Sequence, residues 1–194
     1  EVIPQIAGSI KSSCIVVSIA AGQPIDAIER AFGKEIKLVR AMPNTPALVG
    51  EAMSALCINS QVTPEEAEEI LSIFNCFGKA ELIPESLMDA VVGVSGSSPA
   101  YVYLFIEAMA DAAVADGMPR AQAYKFAAQS VYGAAKMVLE TGSHPAVLKD
   151  AVCSPGGTTI EAVASLEQHG FRNAVISAQR ACSGKSREMS KREA

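Results

Sequence analysis

Hydrophobic positions change their period along this chain, and the change divides it in two. Up to residue 84, short β-branched runs alternate with amphipathic segments. Val2 to Ile10 reads as the end of a helix, with Ser12 and Ser13 as its turn. Cys14 to Ile19 is a short, largely apolar β-branched run, the pattern of a strand buried on both faces in a parallel sheet. Ala20, Ala21 and Gly22 then turn the chain into a helix from Pro24 to Phe32, with proline in its first turn and Gly33 after it. Ile36 to Arg40 predicts a second strand, broken by Pro43 and Pro46, and Met53 to Ile58 a third. Thr63-Pro-Glu-Glu opens a well-marked helix, with an N-cap threonine, proline at the first position and acidic residues in the first turn. Gly78 is expected to end it, and Ala80 to Ile83 is a last short strand. Strand and helix in alternation predict a parallel-type sheet with helices on its faces.

Beyond Pro84 no strand is needed. Glu85 to Val92 is a short helix, and Pro99 to Asp116 is a long alanine-rich one ended by Gly117. Pro119 to Glu140, Ala146 to Val152, Thr158 to His169 and Phe171 to about Glu188 complete a helical region, and the charged tail from Gly184 to Ala194 is expected to fray. The pattern thus gives an α/β part over 1–84 and an all-α part over 85–194.

Composition adds a partner. The chain of 194 residues is 49% hydrophobic and 19% charged, without tryptophan, yet no run approaches the roughly 18 to 20 apolar residues that span a bilayer. The excess must be buried in protein, which predicts contact with a second subunit and no membrane. A formal charge of −5 argues against nucleic acid. Cys14, Cys57, Cys76, Cys153 and Cys182 are odd in number and widely spaced, and four of them lie in apolar strand or helix patterns, as buried thiols in a reducing cytoplasm do. The two histidines, His144 and His169, show no metal-ligand spacing, so no metal is expected. The chemistry must rest on backbone groups, hydroxyls, carboxylates and a bound cofactor.

The densest chemical signal is Ser154-Pro-Gly-Gly-Thr-Thr159, directly before an apolar-periodic helix. A helix start of this kind converges unpaired N–H groups and hydroxyls on one point, with the positive end of the helix dipole behind them. Such a point suits a small carboxylate or phosphate. The plainer reading is a well-capped helix after a glycine turn.

Two further blocks, Arg40-Ala-Met-Pro-Asn-Thr-Pro46 and Gly93-Val-Ser-Gly-Ser-Ser-Pro-Ala-Tyr101, precede it in order. With SPGGTTIEA these resemble the signature blocks of the pyrroline-5-carboxylate reductase family, bacterial members above all, and the resemblance runs from Val16 past Phe171. It implies a truncated Rossmann-type parallel-sheet domain over 1–84, followed by an all-helical dimerisation and substrate domain over 85–194. It also implies a homodimer or a ring of dimers, and reduction of the cyclic imino acid Δ1-pyrroline-5-carboxylate to L-proline by NADPH or NADH. On the substrate side it implies that Thr159 hydrogen-bonds the substrate as the catalytic residue. Ser154, Gly156, Gly157 and Thr158 would form the backbone cradle, with Val152 and Cys153 beside it and Glu85 near the substrate. Glu85 has a second reading as a dipole partner at a helix start. Ser95, Ser97 and Ser98 read as caps of the following helix or as pocket residues. On the cofactor side, Ser18, Ala20, Ala21 and Gly22 follow one strand, and small side chains there admit a dinucleotide to the backbone. Met42, Pro43, Asn44 and Thr45 follow the next, where Asn44 is placed to hydrogen-bond the nicotinamide side, or else closes a rigid proline turn.

Departures from the family pattern matter too. The 194 residues contain no G-x-G-x-x-G, the turn that seats a pyrophosphate. The chain therefore reads as lacking the first βαβ units of such a domain, and an alternative is a catalytically silent helical assembly fragment. Ala151 stands where some relatives have asparagine. Related dehydrogenases that use a lysine on an interdomain helix are disfavoured, because Pro99 to Asp116 contains none.

Overall fold

The computed structural model describes residues 2–193, without the side chains of residues 192 and 193; Glu1 and Ala194, the ends of two predicted segments, lie outside them. The chain forms two compact units, one of residues 1–99 with 178–194, the other of residues 100–177.

The first unit is built on four strands, β1 (Ile15–Ser18), β2 (Lys37–Met42), β3 (Ala52–Ile58) and β4 (Gly78–Leu82), paired in that order. A short helix, α1 (Ile3–Ile6), precedes them; α2 (Ile25–Phe32) joins β1 to β2 and α3 (Pro64–Asn75) joins β3 to β4, and both of these pairs are parallel. The middle pair, β2 with β3, is antiparallel. Its link holds no α-helix, only the 3₁₀ turn Thr45–Val49, and parallel strands need a crossover of a dozen or more residues. The sheet is thus parallel in its outer pairs and reversed at its centre.

Period-two alternation sorts side chains onto two faces. Val39, Ala41 and Leu56 pack with Ala67, Ile70 and Phe74 of α3 on one face. Leu38 packs with Ile28, Phe32 and Ile36, and Ala55 and Cys57 with Met88. The capping box at the start of α3 forms as its residues require: Glu66 N–H donates to Thr63 Oγ1 at 3.3 Å, and Thr63 N–H to Glu66 Oε2 at 3.0 Å. Glu66 also pairs with Lys37, tying α3 to β2. Gly78 opens β4 instead of ending α3. A Cβ there would stand 2.2 Å from the Ala52 carbonyl oxygen, so the close approach of β3 and β4 demands glycine.

From Glu85 the chain runs through a 3₁₀ turn (Glu85–Leu87), α4 (Met88–Val91) and one π-helical turn (Val92–Gly96). Ser97 N–H donates to the Val92 carbonyl at 2.9 Å, closing that turn. The expected capping by serines is not what Ser95 and Ser97 do. Ser95 Oγ donates back to Val91 O at 3.2 Å, and Ser97 Oγ accepts from the Cys182 thiol at 3.2 Å. The C-terminal tail, expected to fray, is helical as part of α9 (Phe171–Glu193). Its serines explain this: Ser183 and Ser186 are buried, and Ser186 Oγ donates to Asp89 Oδ1 at 2.5 Å.

The second unit holds most of α5 (Ser98–Ala115), with α6 (Arg120–Thr141), α7 (Pro145–Val152), α8 (Thr158–Gln168) and the first turns of α9. Arg120 pairs with Asp111 and lies over the Tyr124 ring at 5.5 Å, closing the α5–α6 hairpin. Ala110, Ala123 and Ala127 are its buried apolar residues, while Leu104, Phe126 and Leu139 are 67%, 68% and 84% exposed. Large side chains therefore face outward while alanines are enclosed, the inverse of a self-sufficient core. Among the described residues no helix is long and apolar enough to cross a membrane.

Candidate active site

The start of α8 is built within a few residues. α7 ends at Val152, and the Gly157 N–H donates to the Ser154 carbonyl at 3.0 Å, closing a β-turn over Pro155 and Gly156. Gly156 has φ +67°, the left-handed value that the third position of a type II turn requires. Gly157 is the N-cap, and a Cβ on it would meet Ser154 Oγ at 2.4 Å. No side chain caps the helix. A helix leaves its first N–H groups without intrahelical partners, so those of Thr158 and Thr159 gather beside the turn. The plain reading of a side-chain-capped helix is thereby excluded. Thr159 and Cys153 are half-buried, whereas Val152, Ser154, Gly156 and Thr158 are exposed. Seven of the eight predicted substrate-side residues thus lie in one turn of the second unit.

The predicted cofactor-side residues cluster in the first unit. β1 and β2 are parallel neighbours with Ser18 opposite Arg40, so the segments leaving Ser18 and Met42 emerge at the same edge of the sheet. Ser18 Oγ accepts from the Ala20 N–H at 3.4 Å, and Ala20 and Ala21 are exposed. Backbone with only methyl groups on it leaves room for a flat ring at van der Waals contact. Gly22 serves another purpose. It is buried, and a Cβ on it would stand 3.0 Å from Cβ of Met189 in α9. Asn44 likewise has its amide engaged: Nδ2 donates to Ser95 O at 3.0 Å, and Oδ1 accepts from Met53 N–H at 3.0 Å. Pro43 is half-buried and Thr45 exposed.

Glu85, the eighth substrate-side residue, belongs to the first unit and is held from two directions. Oε1 accepts from the Ile25 N–H at 2.9 Å and from Arg40 Nη1 at 2.7 Å. It does partner a helix start, that of α2 and not its own. In sequence Arg40 stands only at a strand end and within a motif. The signal that would have found its role is a charged residue inside an apolar strand run, which must be paired. Met189 carried no signal, since a methionine in a charged tail is unremarkable.

Cys57, directly opposite Arg40 across β2 and β3, has its thiol pushed up to about 11 by burial and by the Glu85 carboxylate, against the lowering effect of Arg40. It is a buried neutral thiol. Among the described residues no group of three or more His, Cys, Asp or Glu is arranged to hold a metal.

Known proteins place this architecture. The family model described as pyrroline-5-carboxylate reductase dimerisation matches residues 85–189. The Escherichia coli pyrroline-5-carboxylate reductase is 61% identical over 191 residues, covering 98% of this chain and 71% of the relative. The Methanosarcina acetivorans enzyme of the same name is 48% identical over 192 residues, covering 99% and 71%. A solved Plasmodium falciparum pyrroline carboxylate reductase with NADP bound superposes with a TM-score of 0.91 at 38% identity, covering 97% of this chain and 74% of that one. From its sequence blocks, its fold and these relatives, the chain belongs to the pyrroline-5-carboxylate reductase family of oxidoreductases.

Proposed function

We propose that this chain reduces Δ1-pyrroline-5-carboxylate to L-proline, acting as a homodimer or ring of dimers through its helical domain, residues 85–194. The observation that carries the reading is the uncapped start of α8 behind the Ser154–Gly157 turn. The substrate is a five-membered ring with a C=N bond and a carboxylate. Backbone N–H groups of Thr158 and Thr159, with Ser154 and Gly157 shaping the turn beside them, receive the carboxylate at the positive end of the helix dipole. That contact fixes the ring and leaves the Thr159 hydroxyl to hydrogen-bond its nitrogen, the atom that gains a proton as the adjacent carbon gains hydride. The family resemblance also gives Glu85 a substrate role, and its second carboxylate oxygen is free to serve it. Hydride comes from NADPH or NADH bound when the enzyme turns over. Ser18, Ala20 and Ala21 would let it approach the backbone. Met42, Pro43 and Thr45 line the neighbouring segment, and Asn44 and Gly22 shape the edge from behind.

The test is loss of NADPH absorbance that depends on pyrroline-5-carboxylate, measured for this chain and for Thr159→Ala. One charge-assisted substrate hydrogen bond, at roughly 1.5 kcal/mol or more, corresponds to a fall in kcat/KM of at least about tenfold. Unchanged kinetics in the variant would remove Thr159 from the site, and reduction of open-chain imines alone would overturn the substrate.

A further inference from the structure

Arg40 is the most costly residue of the sheet. Its side chain is 5% exposed, and its Nη1 bond to Glu85 leaves Nε and Nη2 buried without a hydrogen-bond partner. A guanidinium carries five N–H donors, and burying them incompletely paired is unfavourable. Removing one partner of a buried ion pair is costly when the other charge is left buried, but Glu85 would keep its bond to the Ile25 N–H and its access to solvent without arginine. Packing therefore does not account for arginine here.

What the residue achieves is the fixed orientation of one carboxylate. Glu85 Oε1 takes the Arg40 guanidinium and the Ile25 N–H together, from two different elements. Oε2 forms no hydrogen bond among the described residues, and the side chain stays 34% exposed. One oxygen is locked inward and the other is left free.

We propose that Arg40 is a positioning residue of the reductase, acting through Glu85 so that the free oxygen meets the ring nitrogen of the cyclic imino acid. This rests on the reading of Glu85 as a substrate residue. The iminium form of that ring is cationic at nitrogen, so a carboxylate of fixed direction is its complement. Orientation matters because a carboxylate free to rotate loses part of its contact to conformational entropy and to water.

The experiment compares the chain with Arg40→Met, Arg40→Lys, Glu85→Ala and the Arg40→Met/Glu85→Ala double variant. Steady-state kinetics, calorimetric binding of L-proline and thermal unfolding are read for each. Arg40→Met should raise KM for pyrroline-5-carboxylate and weaken L-proline binding by about tenfold, with KM for NADPH within about twofold. Its melting temperature should change little, and Arg40→Lys, which keeps charge without the planar fork, should recover part of the affinity. In the Glu85→Ala background, Arg40→Met should add less than about twofold. Wild-type affinity in Arg40→Met, or an undiminished effect in that background, overturns the proposal and makes Arg40 structural. If Arg40→Met fails to fold, Arg40→Lys at wild-type affinity decides against it in the same way. Should Glu85→Ala itself bind L-proline normally, the reading of Glu85 falls. Should Glu85→Ala bind weakly while Arg40→Met binds normally, that reading stands and only the role of Arg40 falls.

Discussion

Asn44 offers the sharpest test of whether this site is a set of ligands or a set of joints. Its amide spans the loop after β2, the start of β3 and the π-helical turn, through bonds of 3.0 Å to Met53 N–H and 3.0 Å to Ser95 O. Asn44→Ala removes both bonds, each worth about 1 kcal/mol net, and strands a half-buried donor and acceptor at up to a further ~1 kcal/mol apiece. The sum is a loss of about 2–4 kcal/mol, which in a chain of this size lowers the melting temperature by on the order of 10 °C. Asn44→Asp separates the two bonds. It keeps an acceptor for Met53 but turns an oxygen toward the Ser95 carbonyl, so it too should be destabilised, although it is isosteric. Urea denaturation followed by circular dichroism measures both variants, with NADPH kinetics taken alongside. If Asn44→Ala unfolds within roughly 0.5 kcal/mol of the parent while KM for NADPH rises, the residue is a cofactor ligand and the structural argument is wrong.

Two further outcomes follow from packing and burial. Gly93→Ala places a Cβ 2.8 Å from Ser183 Oγ and 3.0 Å from Gln179 Cγ. It should destabilise by about 1–3 kcal/mol. Gly184→Ala, on the same helix with nothing within 4 Å of the new Cβ, should stabilise by up to ~1 kcal/mol; equal shifts in the two chemical-denaturation midpoints would refute the packing account. Thiol labelling at pH 8, mapped by mass spectrometry, should modify exposed Cys14 and Cys76 rapidly and Cys57 only on unfolding. Because burial raises the Cys57 thiol from 9.0 to about 11, only the unfolded form ionises between those values. Stability should therefore fall as pH rises through that window, less steeply in Cys57→Ala.

Much of the backbone was legible because its signals are local. The N-cap at Thr63, the glycine stop after Phe32 and the glycine turn before α8 each depend on residues a few positions apart, and each forms as read. Strand direction was not legible in the same way. The apolar run of β3 has no polarity of its own, and only the short proline-containing link from β2 dictates the reversal. Function-bearing polar residues were harder still. Ile25 to Glu85 spans 60 positions, Asn44 to Ser95 spans 51 and Arg40 to Glu85 spans 45. No periodicity encodes partners at such distances. The buried face of the tail escaped for a related reason: Ser186, which donates to Asp89, looks in sequence like part of a solvated charged end.

The three sequence blocks differ physically in a way their letters conceal. SPGGTT is self-contained, since its turn, its N-cap and its free N–H groups are all fixed between Ser154 and Thr159. RAMPNTP and GVSGSSPAY are two sides of one joint. Asn44 holds Ser95, and Met42 Cγ lies 3.7 Å from where a Cβ on Gly96 would stand. Arg40 adds Glu85 at the head of the second segment. Gly93 is thus required by close contact with α9, and Ser97 is engaged by Cys182 of that helix, before any ligand is considered. A substitution in either block acts on both, whereas one in SPGGTT acts where it stands. The presence of all three blocks together reflects two independent constructions: a local turn with free N–H groups at a helix start, and a long-range clamp that sets one carboxylate in place.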